Sequence, residues 1–217
     1  MIKDNLEKIY LRIANACLGV KRNPEEIVLI CVSKARLKEE IQQAISCGLK
    51  YFGENKVQEA LLKYRQFPQN NWQMIGHLQT NKVKVAVKIF TVIHAVDSLG
   101  LAEEINRQAK KINKVQNVFL EVKTSSEATK FGFLAADLIK ALPEIRRLNN
   151  LKVQGLMTIA PFSQNAQNAR PYFRQLRQLR DTLDLSWLLS MGMSDDFEVA
   201  IEEGADIIRL GRAIFNG

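Results

Sequence analysis

An α/β fold, a single closed (β/α)8 barrel of the TIM type with an additional N-terminal helix, is the architecture that three observations predict. Short β-branched or apolar runs alternate with longer segments of helical period from near the start of the chain to its end. About eight such strands can be traced, each followed by a helix, which is the number that closes a barrel. No Gly-x-Gly-x-x-Gly turn follows the first strand, which weighs against an open doubly wound sheet.

Residues 4–17 place Leu6, Ile9, Ile13 and Cys17 on one face and end before Gly19, a helix ahead of the first strand. Residues 27–33 (IVLICVS) form the continuous apolar run expected of a strand covered on both faces. The next helix carries Leu37, Ile41, Ala44 and Ile45 in its apolar stripe and stops at Gly48. A short strand at 50–52 leads through Gly53, Glu54 and Asn55 into a helix with Val57, Ala60, Leu61 and Tyr64 on one side. The third strand is 72–75, with a short helix over 81–87; the fourth is 90–96, with a helix carrying Leu101, Ile105 and Ala109.

Residues 117–122 form the fifth strand, and after a loop rich in Ser and Thr comes a helix around 135–142, broken near Pro143. The sixth strand, 153–159, precedes a long helix marked by Tyr172, Leu176, Leu179 and Leu183. Strand seven is 187–191, followed by a helix over 195–203 closed by Gly204, and strand eight is 206–210. The chain has 217 residues, whereas such barrels typically use about 250. Only a few residues follow the eighth strand, so the N-terminal helix is expected to cover the barrel where an eighth helix would lie. Residues 1–217 are expected to form one domain.

Composition narrows the function classes. No apolar run approaches the roughly 20 residues that span a bilayer, and the opening MIKDNLEKIYLRIANA is charged and amphipathic, so a cytoplasmic protein without membrane contact is expected. Cys17, Cys31 and Cys47 lie in apolar stretches without metal-type spacing and are expected to be reduced core residues. With two histidines, His77 and His94, in neither an HxH nor an HExxH arrangement, no metal is expected. The net charge of +8 favours phosphate-bearing ligands, but the basic residues are spread at helical spacing without interleaved aromatics, and no nucleic-acid partner is expected.

The active site of a barrel lies at the C-terminal ends of its strands. The first strand ends in Lys34, where partial desolvation would favour a neutral, nucleophilic amine. A lone lysine there would more simply mark the exit into solvent; its companions change the balance. The seventh strand ends Ser190-Met191-Gly192-Met193-Ser194 and runs into a helix beginning Asp195-Asp196, and the eighth ends Arg209-Leu210-Gly211-Arg212. Loops after strands seven and eight form the recurrent phosphate site of this architecture. An amine at one strand end and a phosphate cradle at two others point to an aldehyde-bearing phosphate ligand.

At these residues the chain resembles the pyridoxal phosphate homeostasis protein family, related to the N-terminal barrel of alanine racemase and to fold-type III decarboxylases. The resemblance covers nearly the whole chain through VSKA around Lys34, GENKVQE around Asn55, WQMIGHLQTNK around His77, HAVDS, TKFGF, GLMTIAP and LSMGMSDDFEVAIEEGADIIRLGRAIFNG. It implies pyridoxal 5′-phosphate (PLP) as cofactor, held by Lys34 as a Schiff base, with Ser190, Gly192, Ser194, Gly211 and Arg212 around the phosphate. It sets Arg209 against the pyridine nitrogen, where a permanently charged donor keeps that nitrogen unprotonated and weakens the ring as an electron sink. Asn55 and His77 are implied as pocket wall, and His94 reads as structural. Two departures stand out: Glu121 occupies a position where the family often has Asn, and Arg212 replaces a common Thr. Arg212 should preserve or strengthen anion binding, while Glu121 changes the polarity of the cofactor's inner edge.

The resemblance implies a PLP-binding protein that buffers or delivers the cofactor, influences amino-acid and keto-acid balance, works as a monomer with transient PLP-dependent apoenzymes as partners, and has no established catalysis. A racemase of this relationship takes a second acid/base, usually a tyrosine, from a β domain that this sequence does not show. Tyr10, Tyr51, Tyr64 and Tyr172 are not placed at the barrel mouth by the element pattern. Three rivals remain open from the residues: a racemase acting on a small amino acid, a Schiff-base aldolase acting on a sugar phosphate through Lys34, and a nucleic-acid-binding module whose affinity would fall steeply with salt.

Overall fold

The strands bury residues on both faces, one toward the helices and one inside the barrel. The computed structural model describes residues 1–125, 127 and 131–216. The strands are β1 (Val28–Val32), β2 (Tyr51–Glu54), β3 (Asn71–Met74), β4 (Val92–Val96), β5 (Gln116–Glu121), β6 (Leu151–Met157), β7 (Leu188–Ser190) and β8 (Ile207–Leu210). They run parallel in sequence order and close as a barrel when β8 pairs with β1, Val28 opposite Ile207 and Cys31 opposite Leu210. In β1 the two faces separate cleanly: Leu29 and Cys31 join the layer between sheet and helices, whereas Ile30 joins Ala95, Phe119, Met157 and Ile207 inside the barrel.

The helices are α1 (Ile2–Gly19), α2 (Lys38–Ser46), α3 (Val57–Gln66), α4 (Val83–Ile89), α5 (Leu99–Lys110), α6 (Ala135–Ile145), α7 (Arg170–Leu183), α8 (Phe197–Glu202) and α9 (Arg212–Phe215). Among the described residues β8 is followed by the single turn of α9, and α1 covers the barrel beside it. Its buried stripe of Ile2, Leu6, Ile9, Ile13 and Cys17 packs on α8 and α9. Asn5 Nδ2 donates to the Ile214 carbonyl at 2.9 Å, and Arg12 grips Glu198 with two hydrogen bonds of 2.6 and 2.9 Å.

Several local expectations are corrected. Helix α6 is not broken at Pro143 but continues to Ile145; Pro143 sits on the exposed face of the last turn, where its missing N–H removes a single bond near the helix end. Gly53 and Glu54 belong to β2 rather than to a loop, since β3 continues to pair with them through Gln73 and Met74. Leu37 precedes α2 and is 68% exposed; its N–H donates to Glu40 Oε2 at 2.7 Å and caps the helix. Cys47 is exposed at the end of α2, while Cys17 and Cys31 are buried. The helix after β7 begins at Phe197, two residues later than expected, because Asp196 Oδ1 first accepts the Met193 N–H at 2.6 Å and closes a turn.

Candidate functional site

Strands β1, β7 and β8 are neighbours in the closed barrel, so their C-terminal loops converge. A cavity of about 220 Å³ opens there and is lined by Lys34, Asn55, Ser194, Arg209, Gly211 and Arg212, six of the residues singled out in the sequence. Asp195 also lines it and forms an ion pair with Arg212. Ser194 Oγ accepts the Ala213 N–H at 3.3 Å and ties the β7–α8 loop to the start of α9. The N–H groups of Gly211 and Arg212 open that helical turn and have no acceptor within it. A side chain at Gly211 would press against the Val32 carbonyl at 3.2 Å, so glycine keeps the loop close to β1.

Three expected residues stand outside this cavity. Ser190 is fully buried beneath it rather than lining it, because the last residue of β7 points into the barrel. Gly192 has φ +95°, and a Cβ there would lie 2.6 Å from Ala200 Cβ, so it shapes the loop instead of facing the opening. His77 lines two adjoining cavities that share Gly76 with the first. Lys34 is exposed instead of partly desolvated, because it lies in a turn beyond the end of β1.

Beneath the opening, the interior holds a directed chain of hydrogen bonds. Arg209 donates from Nη1 to Ser190 Oγ at 2.7 Å and from Nη2 to the Thr158 carbonyl at 2.9 Å. Ser190 Oγ lies 3.0 Å from His94 Nδ1, and His94 Nε2 lies 2.7 Å from Gln73 Oε1. Burial and the Arg209 charge hold His94 well below the usual histidine range, so the ring is neutral: Nε2–H donates to Gln73 and Nδ1 accepts from Ser190. His94 falls in the irregular stretch of β4 between Ile93 and Val96, and its ring stacks on Phe119 at 4.5 Å. Burial pushes Arg209 down to about 10, opposed by Asp196 and Glu121, and it stays charged at neutral pH.

The adjoining cavity of about 160 Å³ is lined by Glu121, Lys123, His77 and Phe131. His77 Nδ1 lies 3.0 Å from Asp97 Oδ2, and its ring stacks on Phe131 at 3.7 Å. Glu121 is 7% exposed, its Oε2 has no hydrogen-bond partner among the described residues, and burial, with the Asp97 charge, pushes its carboxyl up to about 7 against the pull of Arg209. A second polar cluster lies behind Lys34, where Glu54, Glu59 and Lys63 meet. Neither Glu59 nor Lys63 was legible as a site residue, although their i,i+4 spacing on α3 marks them as a pair. Tyr10, Tyr51, Tyr64 and Tyr172 line none of these three cavities.

The family described as "Alanine racemase, N-terminal domain" matches residues 2–217. The pyridoxal phosphate homeostasis protein of Aquifex aeolicus is 44% identical over 219 aligned residues, covering 98% of this chain and 96% of that protein. The chain belongs to the pyridoxal phosphate homeostasis protein family. Another member, from Pseudomonas aeruginosa, is 37% identical over 99% of this chain and 94% of its own. The structure of PipY from Synechococcus elongatus with PLP bound superposes with a TM-score of 0.86 at 35% identity, covering 99% of this chain and 100% of that one. In this pyridoxal phosphate homeostasis family member, VSKA closes β1, GENKVQE joins β2 to α3, and HAVDS closes β4. Thr129 and Lys130 of TKFGF, and Gly217, lie outside the described residues.

Proposed function

We propose that this chain binds PLP at the barrel mouth, with Lys34 as its covalent attachment point, and serves to buffer and deliver the cofactor. One observation carries the reading: a single cavity joins the Lys34 amine to Ser194, Gly211, Arg212 and the buried cation of Arg209. The donor set fits a phosphorylated aldehyde. One hydroxyl, two N–H groups at the start of α9 and the Arg212 guanidinium suit a phosphate. When bound, PLP supplies an aldehyde carbon for amines and an electron-withdrawing ring. Arg212 would turn part of its charge from Asp195 toward the phosphate. Arg209, held by Ser190 and Thr158, presents a fixed cation that cannot take a proton from a ring nitrogen.

Residues 1–217 work as one domain in this reading, which the family match over 2–217 and the β1–β8 closure support. The proposed cradle comes from one chain, in keeping with a monomer. Exchange with transient apoenzymes would place it in the cytoplasm beside them. The reading includes no catalysis, in keeping with the relatives' naming as homeostasis proteins.

The test is the visible absorption of the protein with added PLP, followed by borohydride reduction and mass spectrometry. A yellow band that is absent in Lys34→Ala, with the reduced pyridoxyl group on Lys34, is the expected result. A protein that stays colourless and gains no mass on Lys34 overturns the reading.

A further inference from the structure

Lys34 sits in a tight turn whose backbone is not self-supporting. The Arg36 N–H returns to the Ser33 carbonyl at 3.1 Å, and Ala35, at the third position of that turn, has φ +57°. A left-handed conformation at this position normally calls for glycine or asparagine. A residue with a Cβ persists there only where its surroundings hold it.

The holding group is visible. Lys63 Nζ, from α3, lies 2.5 Å from the Ser33 carbonyl, 2.7 Å from Glu54 Oε1 and 2.6 Å from Glu59 Oε1. An ammonium has three donors, and all three are used. Each acceptor leads back to Lys34. The Ser33 carbonyl belongs to the peptide unit before it; Glu54 Oε1 also accepts from Ser33 Oγ at 2.6 Å; Glu59 Oε1 also accepts the Ala35 N–H, at 2.6 Å, from the peptide unit after it.

We propose that Lys63 is the positioning residue for Lys34, its ammonium binding both flanking peptide units into one clamp that fixes where the Lys34 amine points. The proposal rests on the reading of Lys34 as attachment point. Attachment requires Lys34 Nζ, as a neutral amine, to give its lone pair to an aldehyde carbon. The C–N bond forms, and the aldehyde oxygen leaves as water with the two amine protons. A fixed backbone shortens the search for the angle at which that bond can form. Glu54 explains why the cation is buried at all: burial pushes its carboxyl up, and the hydrogen bonds from Lys63 and Ser33 pull it back.

Lys63→Met alone would leave the buried Glu54 charge unpaired, so the decisive protein is the double variant Glu54→Gln/Lys63→Met, in which no buried charge is stranded. Three readouts are compared with the wild type: growth of the yellow band with PLP, affinity for pyridoxine 5′-phosphate, which has the ring and phosphate but no aldehyde, and hydrogen exchange of the Ala35 amide by NMR. The clamp predicts band formation slowed about tenfold or more, unchanged affinity for the aldehyde-free analogue, and faster Ala35 exchange. Wild-type band kinetics in the double variant overturn the proposal. Loss of analogue affinity or of folding in step with the band also overturns it, by showing a merely structural role. If the wild type itself forms no band, the functional reading fails separately, and unchanged Ala35 exchange in the variant then rejects the clamp on its own.

Discussion

Glu121 shows how a single residue carries a pH dependence into this barrel. Its carboxyl faces Asp97 and Arg209 electrostatically and shares its cavity with His77 and Lys123. Burial raises it from 4.5 to about 7. A carboxyl whose pKa rises on folding binds its proton more tightly in the folded chain. The contribution of Glu121 to stability is therefore most favourable below pH 4.5, falls as pH climbs to about 7, and stays lower above that. The cost above neutrality is roughly 3 kcal/mol. Glu121→Gln is accordingly expected to raise the thermal midpoint by several degrees at pH 8 and to leave it nearly unchanged at pH 5. Equal effects at both pH values in a thermal scan would place the origin of the change elsewhere.

At the scale of elements, the site is a junction between the β7–α8 loop and the single turn of α9. Ser194 joins the two through the Ala213 N–H and stands half-buried at the edge of the cavity. Ser194→Asp retains an acceptor for that N–H but sets a negative charge where the phosphate is proposed to lie. Retention of PLP should weaken at least about tenfold, ~1.4 kcal/mol, while the unfolding midpoint stays close to wild type. Equilibrium dialysis beside a urea titration separates the two effects. Unchanged occupancy would remove Ser194 from the phosphate site.

For the whole molecule, closure of the helical layer depends on α1, which comes from the opposite end of the chain to the elements it covers. Asn5 is buried and its amide reaches the Ile214 carbonyl, so the first helix pins the last. Asn5→Ala removes this partner and is expected to destabilise the fold by about 1–3 kcal/mol. The urea midpoint should fall with an unchanged slope, and uptake of PLP by the folded protein should persist. A change in slope would indicate that α1 separates from the barrel before the rest unfolds.

Much of this was legible in one dimension. The alternation of apolar runs with helical stripes determined eight strands in order, and the residues ending β1, β7 and β8 marked the mouth, because strand ends in a parallel barrel all face the same way. Strand-end position brought Lys34 and the segments carrying Ser194, Arg209, Gly211 and Arg212 together; the resemblance to the family gave each of them a role. Pro143 misled, because whether proline breaks a helix depends on which face it occupies and how near the end. The burial of Ser190 was not legible, because the last residue of a three-residue strand can face inward or open onto the loop, and only packing decides which. The long-range partners of polar groups were decided by tertiary structure. Lys63 meets Ser33 across 30 residues, and His94 meets Ser190 across 96. Hydrophobic periodicity records which face of an element is buried; it carries no signal for which polar atoms meet once the barrel has closed.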